Sequence, residues 1–322
     1  MSLDSSNQIK PTRLAVTLGD PRGIGPEVLP AAARHFLEDE PLVEIVVLGD
    51  EENVSRAPSD LFKHAVGIFT GSLKSAGLIS LHAITEGVRM AIRGEVDALV
   101  TGPIHKPALH AVGVRHPGQT ELLKELTEAP SVGMLMHAES TRLGGPFRVL
   151  LATTHLPLRE VPSRLTRARV EEQVSLLWHS LREHWGIATP RIAVCALNPH
   201  ASDGGLFGDE EETIFVPAIR ALREAGIDLS DPLPADTVFL RMIEGLADAV
   251  VVPYHDVGMA VFKTLAFRRG VNVTLGLPFP RTSPDHGTAF DRVGTGTADH
   301  SSFLEALRLA SRLSSPLRRV SL

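Results

Sequence analysis

The sequence has one cysteine in 322 residues, no long apolar run, no basic stripe and no glycine spacing of the kind that cradles a dinucleotide. Cys195 lies inside the apolar run Ile192 to Leu197, where it reads as a buried, unreactive thiol without a disulfide partner in the chain. This fits a reducing compartment. No stretch approaches the length of a membrane span, and Met1 to Lys10 is polar, without the apolar centre of a signal peptide. The expectation is a soluble, unsecreted, cytoplasmic protein in which residues 1–12 form a flexible tail. The 32 Lys and Arg against 38 Asp and Glu leave a formal charge of −6, and basic clusters such as Arg268-Arg269 are only pairs, so no electrostatic footprint for nucleic acid is present. No repeat, low-complexity tract or linker interrupts the chain, so composition places no domain boundary.

What is present is an ordinary globular composition, 43% hydrophobic and 22% charged, patterned as alternating strands and helices. Continuous apolar runs recur at 13–18, 43–48, 98–101, 147–153, 191–197, 249–252 and 271–275, the signature of strands buried on both faces. Amphipathic helices lie between them. The clearest spans Thr166 to Trp185, with Val170, Val174, Leu177, Trp178, Leu181 and Trp185 on one face and Gly186 as the stop. Leu81 to Arg93 repeats the pattern through Leu81, Ile84, Val88 and Ile92. The last helix is expected to open on Ser302, with Glu305 at capping-box spacing and Leu307 and Leu313 toward the core. This order predicts an α/β protein with a mostly parallel sheet and ligands at the carboxyl ends of its strands.

Three apolar strands each run into a histidine, at His155, His200 and His255. In a parallel sheet such positions converge on one rim, and three neutral imidazoles there would suit a borderline metal with positions open for substrate oxygens. They could equally hydrogen-bond their own loops. Gly19 to Glu27 follows the first strand and precedes a helix for which Pro26 suits the first position, but Gly19, Gly23 and Gly25 do not make a Rossmann fingerprint. The segment is either a tight turn or a ligand-facing loop carrying Asp20 and Arg22. Asp285-His286-Gly287-Thr288-Ala289, followed by Gly294-Thr295-Gly296, is a small-residue loop that a planar ligand could approach closely. Lys263, Asn272 and Arg281 could clamp an anion, the arginine through a bidentate fork, or could simply be surface charge.

Taken together the motifs resemble the 4-hydroxythreonine-4-phosphate dehydrogenase family of pyridoxal phosphate biosynthesis. The marks run from Arg13 to Leu313: Gly-Asp-Pro-Arg-Gly-Ile-Gly-Pro-Glu at 19–27, Thr-Gly-Pro-Ile-His-Lys at 101–106, Thr-Thr-His-Leu-Pro-Leu-Arg at 153–159, Leu-Asn-Pro-His-Ala at 197–201, Pro-Ala-Asp-Thr at 234–237, Tyr-His-Asp at 254–256, Gly-Val-Asn-Val-Thr-Leu-Gly-Leu-Pro-Phe at 270–279 and Asp-His-Gly-Thr-Ala at 285–289. The resemblance implies an isocitrate/isopropylmalate-dehydrogenase-like fold of two α/β/α domains with a cleft between them. These are taken as 13–120 plus 270–322 on the cofactor side and 121–269 for the metal and dimerisation. It further implies a homodimer whose active site lies near the subunit interface.

By matching positions, His155, His200 and His255 become ligands of a divalent metal (Zn, Mg or Co). Gln119, Thr120, Lys263, Asn272 and Arg281 fall where the family holds its phosphorylated substrate, and Asp285, His286, Gly287, Thr288 and Ala289 where it holds NAD or NADP. Asp236, Asp256 and Lys263 are the residues assigned to catalysis, the two aspartates near the metal and able to orient its ligands. The implied reaction is metal-assisted oxidation of a substrate hydroxyl with hydride transfer to the nicotinamide, followed by decarboxylation. The first substrate expected is 4-phosphohydroxy-L-threonine, giving 3-amino-2-oxopropyl phosphate. The family usually reads Gly-His-Thr-Glu where this chain has Gly118-Gln119-Thr120-Glu121, so a titratable ring is replaced by a neutral amide. That leaves open related substrates such as threonate or erythronate 4-phosphate or an aromatic cis-dihydrodiol. A metal-dependent lyase and a non-catalytic binding paralogue are the readings outside this class.

Overall fold

The computed structural model describes residues 11–314. Residues 1–10 of the expected tail and residues 315–322 lie outside it; Thr12 is already tied in, its carbonyl accepting from Glu44 N at 2.9 Å. Eleven strands form one sheet: β1 Arg13–Thr17, β2 Glu44–Asp50, β3 Phe62–Gly67, β4 Ala98–Thr101, β5 Gly133–Ala138, β6 Phe147–Leu151, β7 Arg191–Cys195, β8 Asp228–Leu233, β9 Ala249–Val252, β10 Val271–Leu275 and β11 Arg281–Pro284. The helices are α1 Gly25–Asp39, α2 Glu51–Arg56, α3 Leu73–Ile92, α4 Lys106–His110, α5 Gln119–Thr127, α6 Val161–Arg164, α7 Arg167–Glu183, α8 Val216–Glu224, α9 Leu240–Ile243, α10 His255–Ala266 and α11 Ser301–Ser314.

Strand order is β3-β2-β1-β4-β11-β10-β5-β6-β9-β7-β8. The two flanks are parallel, and the antiparallel pairs β11/β10, β10/β5 and β5/β6 occupy the centre. All seven expected strands are present. The four that periodicity missed, β3, β5, β8 and β11, are polar, mixed or short: β3 (Phe-Lys-His-Ala-Val-Gly) and β8 are edge strands, and β11 is Arg-Thr-Ser-Pro.

Alternation along each strand sorts side chains to two faces. Leu14, Val16, Ile45, Val47, Leu150, Ile192, Val194, Val251 and Val273 pack on one face into a single core that runs the width of the sheet and is closed by α1, α11, α7 and α8. The opposite face carries two separate cores. One lies under α3 and α5 with Ala15, Val46, Leu48, Ile84 and Leu123; the other lies under α10 with Val149, Leu151, Val250, Val252 and Phe262. Between them, β11 and β10 present Arg281, Asn272 and Thr274 on this face instead of apolar groups. Continuous hydrophobicity on the flanks therefore builds a three-layer sandwich, and its interruption in the middle opens a cleft on one side.

Local details depart from expectation in four places. The helix at 73–92 starts earlier than Leu81, capped by Ser72 Oγ accepting from Ser75 N, and Ile92 is exposed rather than on the buried face. Trp185 lies past the end of α7, with Gly186 in the left-handed region at φ 69°. Pro26 falls second in α1, a one-residue difference within ordinary boundary fraying. Ser302 does not cap α11: it is buried, donating to Gly270 O and accepting from Asp285 N, both at 2.8 Å, and Asp299 Oδ1 takes the cap-like bond from Ser301 N. Tertiary contact with β10 and β11 outcompetes the local cap.

Candidate active site

The carboxyl ends of β6, β9 and β7 lie side by side, and the three strand-end histidines share that rim. Thr153 Oγ1 donates to Pro253 O at 2.7 Å, tying the loop after β6 to the loop after β9, and the His155 and His255 rings come within 5.6 Å. His255 Nδ1 donates to Asp256 Oδ1 at 2.7 Å, which leaves Nε2 as its free lone pair. Burial holds the His155 ring below the usual imidazole range, with Lys106 and His255 adding to the effect. His200 stands apart, exposed, with the ring of Phe207 6.4 Å away.

Among the described residues no group of three or more His, Cys, Asp or Glu side chains is close enough to hold a metal ion. The donor chemistry of His155 and His255 fits a divalent ion, two imidazoles with one oriented by a carboxylate, but a tetrahedral site needs more than this pair. Of the two aspartates expected near them, Asp256 is in place as the partner of His255, while Asp236 is exposed in the turn after β8.

The backbone at two of these histidines is strained. His155 has φ 52°, and His200, Ala201, Ser202 and Asp203 run through φ values of 53°, 53°, 68° and 45°. Left-handed conformations in non-glycine residues cost on the order of 1 kcal/mol each and persist only where surroundings over-determine them. Buried Glu211 does this for the His200 turn: Oε1 accepts from Leu197 N and Asn198 N, both at 2.8 Å, and Oε2 from Asn198 Nδ2 at 2.9 Å and from Ser202 Oγ. Burial pushes its carboxyl up, yet those donors together hold it below the usual range.

The cleft over the central strands contains a cavity of about 210 Å³ lined by Thr101, Lys106, Gln119, Asn272 and Arg281, with His155 on its wall. Arg281 is 1% exposed. Nη1 donates to Thr274 Oγ1 at 2.8 Å, Nη2 to Gln119 Oε1 at 3.0 Å and to Thr101 Oγ1, and Nε has no partner. Burial without a neighbouring carboxylate pushes the guanidinium down to about 9. Asn272 Oδ1 is also buried and unpartnered. Gln119, first residue of α5, uses both ends of its amide, since Nε2 donates to Gly102 O at 3.2 Å. It orients Arg281.

Lys263 is not part of this clamp. From α10 it reaches Asp285, donating to its carbonyl at 2.9 Å and pairing with Oδ1. That places it on a second cavity of about 270 Å³, where Ile24, Phe267 and Ala298 give apolar walls and Asp285, His286 and Asp299 polar ones. Burial raises the Asp285 carboxyl, with Lys263 pulling the other way. His286 lines both cavities, so they adjoin. Gly287 faces open space, Thr288 O accepts from Ile24 N at 3.0 Å, and Ala289 has φ 43°.

The Gly19 to Glu27 segment is a tight turn whose polar pair is consumed internally. Asp20 is fully buried against Arg22 at 2.6 Å, Arg22 Nη2 donates to His105 Nδ1 at 3.2 Å, and a Cβ at Gly19 would meet Pro103 O at 2.2 Å. Two cavity residues escaped the sequence reading, Lys106 and Glu121. Both sit in motifs already singled out: Lys106 follows β4 at the strand's carboxyl end, which was the signal available for it, while Glu121, in the first turn of α5, was marked only by its place next to Gln119 and Thr120.

The family described as pyridoxal phosphate biosynthetic protein PdxA matches residues 33–310. A 4-hydroxythreonine-4-phosphate dehydrogenase from Klebsiella pneumoniae is 35% identical, covers 94% of this chain and 100% of its own, and superposes with a TM-score of 0.81. A terephthalate 1,2-cis-dihydrodiol dehydrogenase from Burkholderia xenovorans LB400 is 27% identical over 94% of this chain and 98% of that one, with a TM-score of 0.65. At 15% identity and a TM-score of 0.55, over 96% of this chain and 87% of that one, an isocitrate dehydrogenase from Methylococcus capsulatus shares the fold. The α/β fold is thus of the isocitrate-dehydrogenase-like kind, and the chain belongs to the PdxA family of oxidoreductases.

Proposed function

We propose that this chain oxidises and decarboxylates 4-phosphohydroxy-L-threonine with NAD or NADP in a divalent-metal-dependent reaction, giving 3-amino-2-oxopropyl phosphate. The observation that carries the reading is Arg281, a buried cation with an unpartnered Nε, neutral neighbours and a cavity in front of it. Burying a charge without a counter-ion is expensive, so such a site is built for an anion that arrives with the ligand. A phosphoryl group matches it, with Asn272 and Thr120 beside it and Gln119 fixing the guanidinium plane.

His155 and His255 would hold the metal, with His200 the expected third ligand. The chemistry supplied is polarisation of the substrate hydroxyl and of the enolate left by decarboxylation, and hydride acceptance by a nicotinamide. Asp256 fixes the tautomer of His255. Glu211 holds the His200 turn, and the Asp285–Ala289 loop with its adjoining cavity would receive the dinucleotide, with Lys263 anchoring Asp285.

A homodimer is part of the proposal. One chain brings only two of the three imidazoles together, and exposed Leu206 and Phe207 beside His200 are surfaces a second copy would cover. The two domains are proposed as 13–120 plus 270–322 and 121–269; strand order supports a division between β10 and β5, while α5, which the boundary at 120 cuts, packs with the first group of strands. A cytoplasmic location follows from the same reading.

The test is spectrophotometric NAD and NADP reduction with divalent metal over 4-phosphohydroxythreonine, threonate and erythronate 4-phosphates and a dihydrodiol. Reduction with the first, lost on chelation and in His200→Ala, is expected. Activity that survives both treatments would remove the metal from the reading, and no reduction with any phosphorylated acid would end it.

A further inference from the structure

Of the Gly19 to Glu27 turn only Ile24 reaches either cavity, yet the turn is fastened to loops on both sides of it. Toward the loop after β4, Asp20 N donates to Pro103 O at 2.9 Å and Arg22 Nη2 to His105 Nδ1 at 3.2 Å. Toward the 285–296 loop, Ile24 N donates to Thr288 O at 3.0 Å, and Glu27 Oε1 accepts from Gly294 N at 2.7 Å. The Phe290 ring closes the junction: the Arg22 guanidinium lies over it at 5.4 Å, and the His105 ring meets it edge-on at 5.1 Å. Gly23 lets the two backbones approach, since a Cβ there would stand 3.0 Å from Thr288 O. Between the fastened Thr288 and Phe290 lies Ala289, in the left-handed region at φ 43°. An alanine in that conformation is unfavourable by itself and persists only where its flanks are fixed.

We infer that the turn is a clamp that holds the 285–289 loop in its dinucleotide-receiving shape, with Arg22, His105 and Phe290 as positioning residues. The inference rests on that loop receiving the dinucleotide, as given under Proposed function, and goes beyond it by assigning the 19–27 motif a task. A loop ordered before its ligand arrives loses none of the binding energy to ordering, so the clamp is read in cofactor affinity. The turn is a firm base for it, because fully buried Asp20 grips Arg22 by a fork: Nε donates to Oδ1 at 2.9 Å and Nη2 to Oδ2 at 2.6 Å. Replacing Arg22 would strand that carboxylate and endanger folding, so the clamp is tested from its other members. The rival role for Phe290 is direct stacking on the cofactor. Ala289→Gly separates the two, since glycine takes the left-handed conformation without being held there.

The test titrates NADH and NADPH, followed by nicotinamide fluorescence, into wild type, Phe290→Leu, Gly23→Ala and the double variant Phe290→Leu with Ala289→Gly. The rise in Tm given by inorganic phosphate is measured on each protein in parallel. Phe290 is exposed and Gly23→Ala adds one methyl against Thr288, so the variants are expected to fold, with circular dichroism unchanged. Dinucleotide Kd should rise about fivefold to thirtyfold in each single variant, the ratio equivalent to the cost of one left-handed alanine. In the double variant it should return most of the way to wild type, and the phosphate response should stay the same throughout. Unchanged affinity in either single variant, a loss that Ala289→Gly does not recover, or a phosphate response that falls in parallel overturns the inference. Dinucleotide binding by wild type would then show the reading beneath it intact. If wild type binds neither NADH nor NADPH, both fall together.

Discussion

Arg281 carries its charge in a setting that stability alone does not favour. It is buried, its partners are hydroxyls and an amide, and desolvation works against it. Arg281→Met should therefore leave thermal stability unchanged or raise it by about 1 kcal/mol, because the substitution removes an uncompensated buried charge of similar volume. The same variant should lose the stabilisation expected from inorganic phosphate in wild type, about 2.7 kcal/mol at a concentration 100 times Kd, which appears as a rise in Tm. Differential scanning fluorimetry with and without phosphate reads both. A large destabilisation of the unliganded variant would mean that Arg281 is structural rather than an anion receptor. Cys195 is the opposite case: it is fully buried among the apolar neighbours from which its inert role was read, and burial pushes the thiol up to about 12. Gln119 was legible only as a departure from the family motif. That its amide would be spent on Arg281 and Gly102 could not be read from spacing, because those partners come from β11 and from the loop after β4.

At the scale of elements, the strand-to-helix turn at 18–25 is set by contact, not propensity. A Cβ on Gly25 would stand 1.9 Å from Leu18 O, backbone that cannot rotate away. Gly25→Ala should cost about 3 kcal/mol, at the upper end for an overpacked site, measured by urea denaturation. A cost under about 1 kcal/mol, the ordinary scale for glycine against alanine, would show that the turn yields. The parallel flanks were legible in the sequence because both faces of those strands are buried, which makes their apolar runs continuous. The central strands were not equally legible. β11 reads Arg-Thr-Ser-Pro because its side chains serve a cleft, and a strand built to bind a polar ligand loses the pattern by which strands are recognised. The strand-end histidines were placed on one rim by the same topology, but the backbone turn that carries His200 depends on Glu211, which no local spacing marks.

For the whole molecule, acid stability has a definite source. His137 on β5 is fully buried; desolvation pushes its ring down to about 4, although Nε2 donates to Glu139 Oε2 at 3.1 Å. Glu139 is held at about 2, chiefly by that hydrogen bond and with Arg312 adding to it. The unfolded chain then binds more protons than the folded one, so both groups contribute stability that is lost as pH falls. For His137 the loss runs from about 6.5 down through about 4, and for Glu139 it continues below the usual glutamate range. Urea denaturation across pH 7 to 4 should show a decline that flattens in His137→Leu; an unchanged slope would remove His137 as its source. The sequence by itself determined the fold class, the helix-layered parallel flanks, the metal-ligand candidates and the family, because those depend on periodicity and on order along the chain. Only the tertiary structure decided that Lys263 serves Asp285, that Arg281 stands without a counter-ion and that the third imidazole is not gathered within one chain. Those are relations between residues as much as 180 positions apart, and burial and partner choice are set by packing rather than by neighbours in sequence.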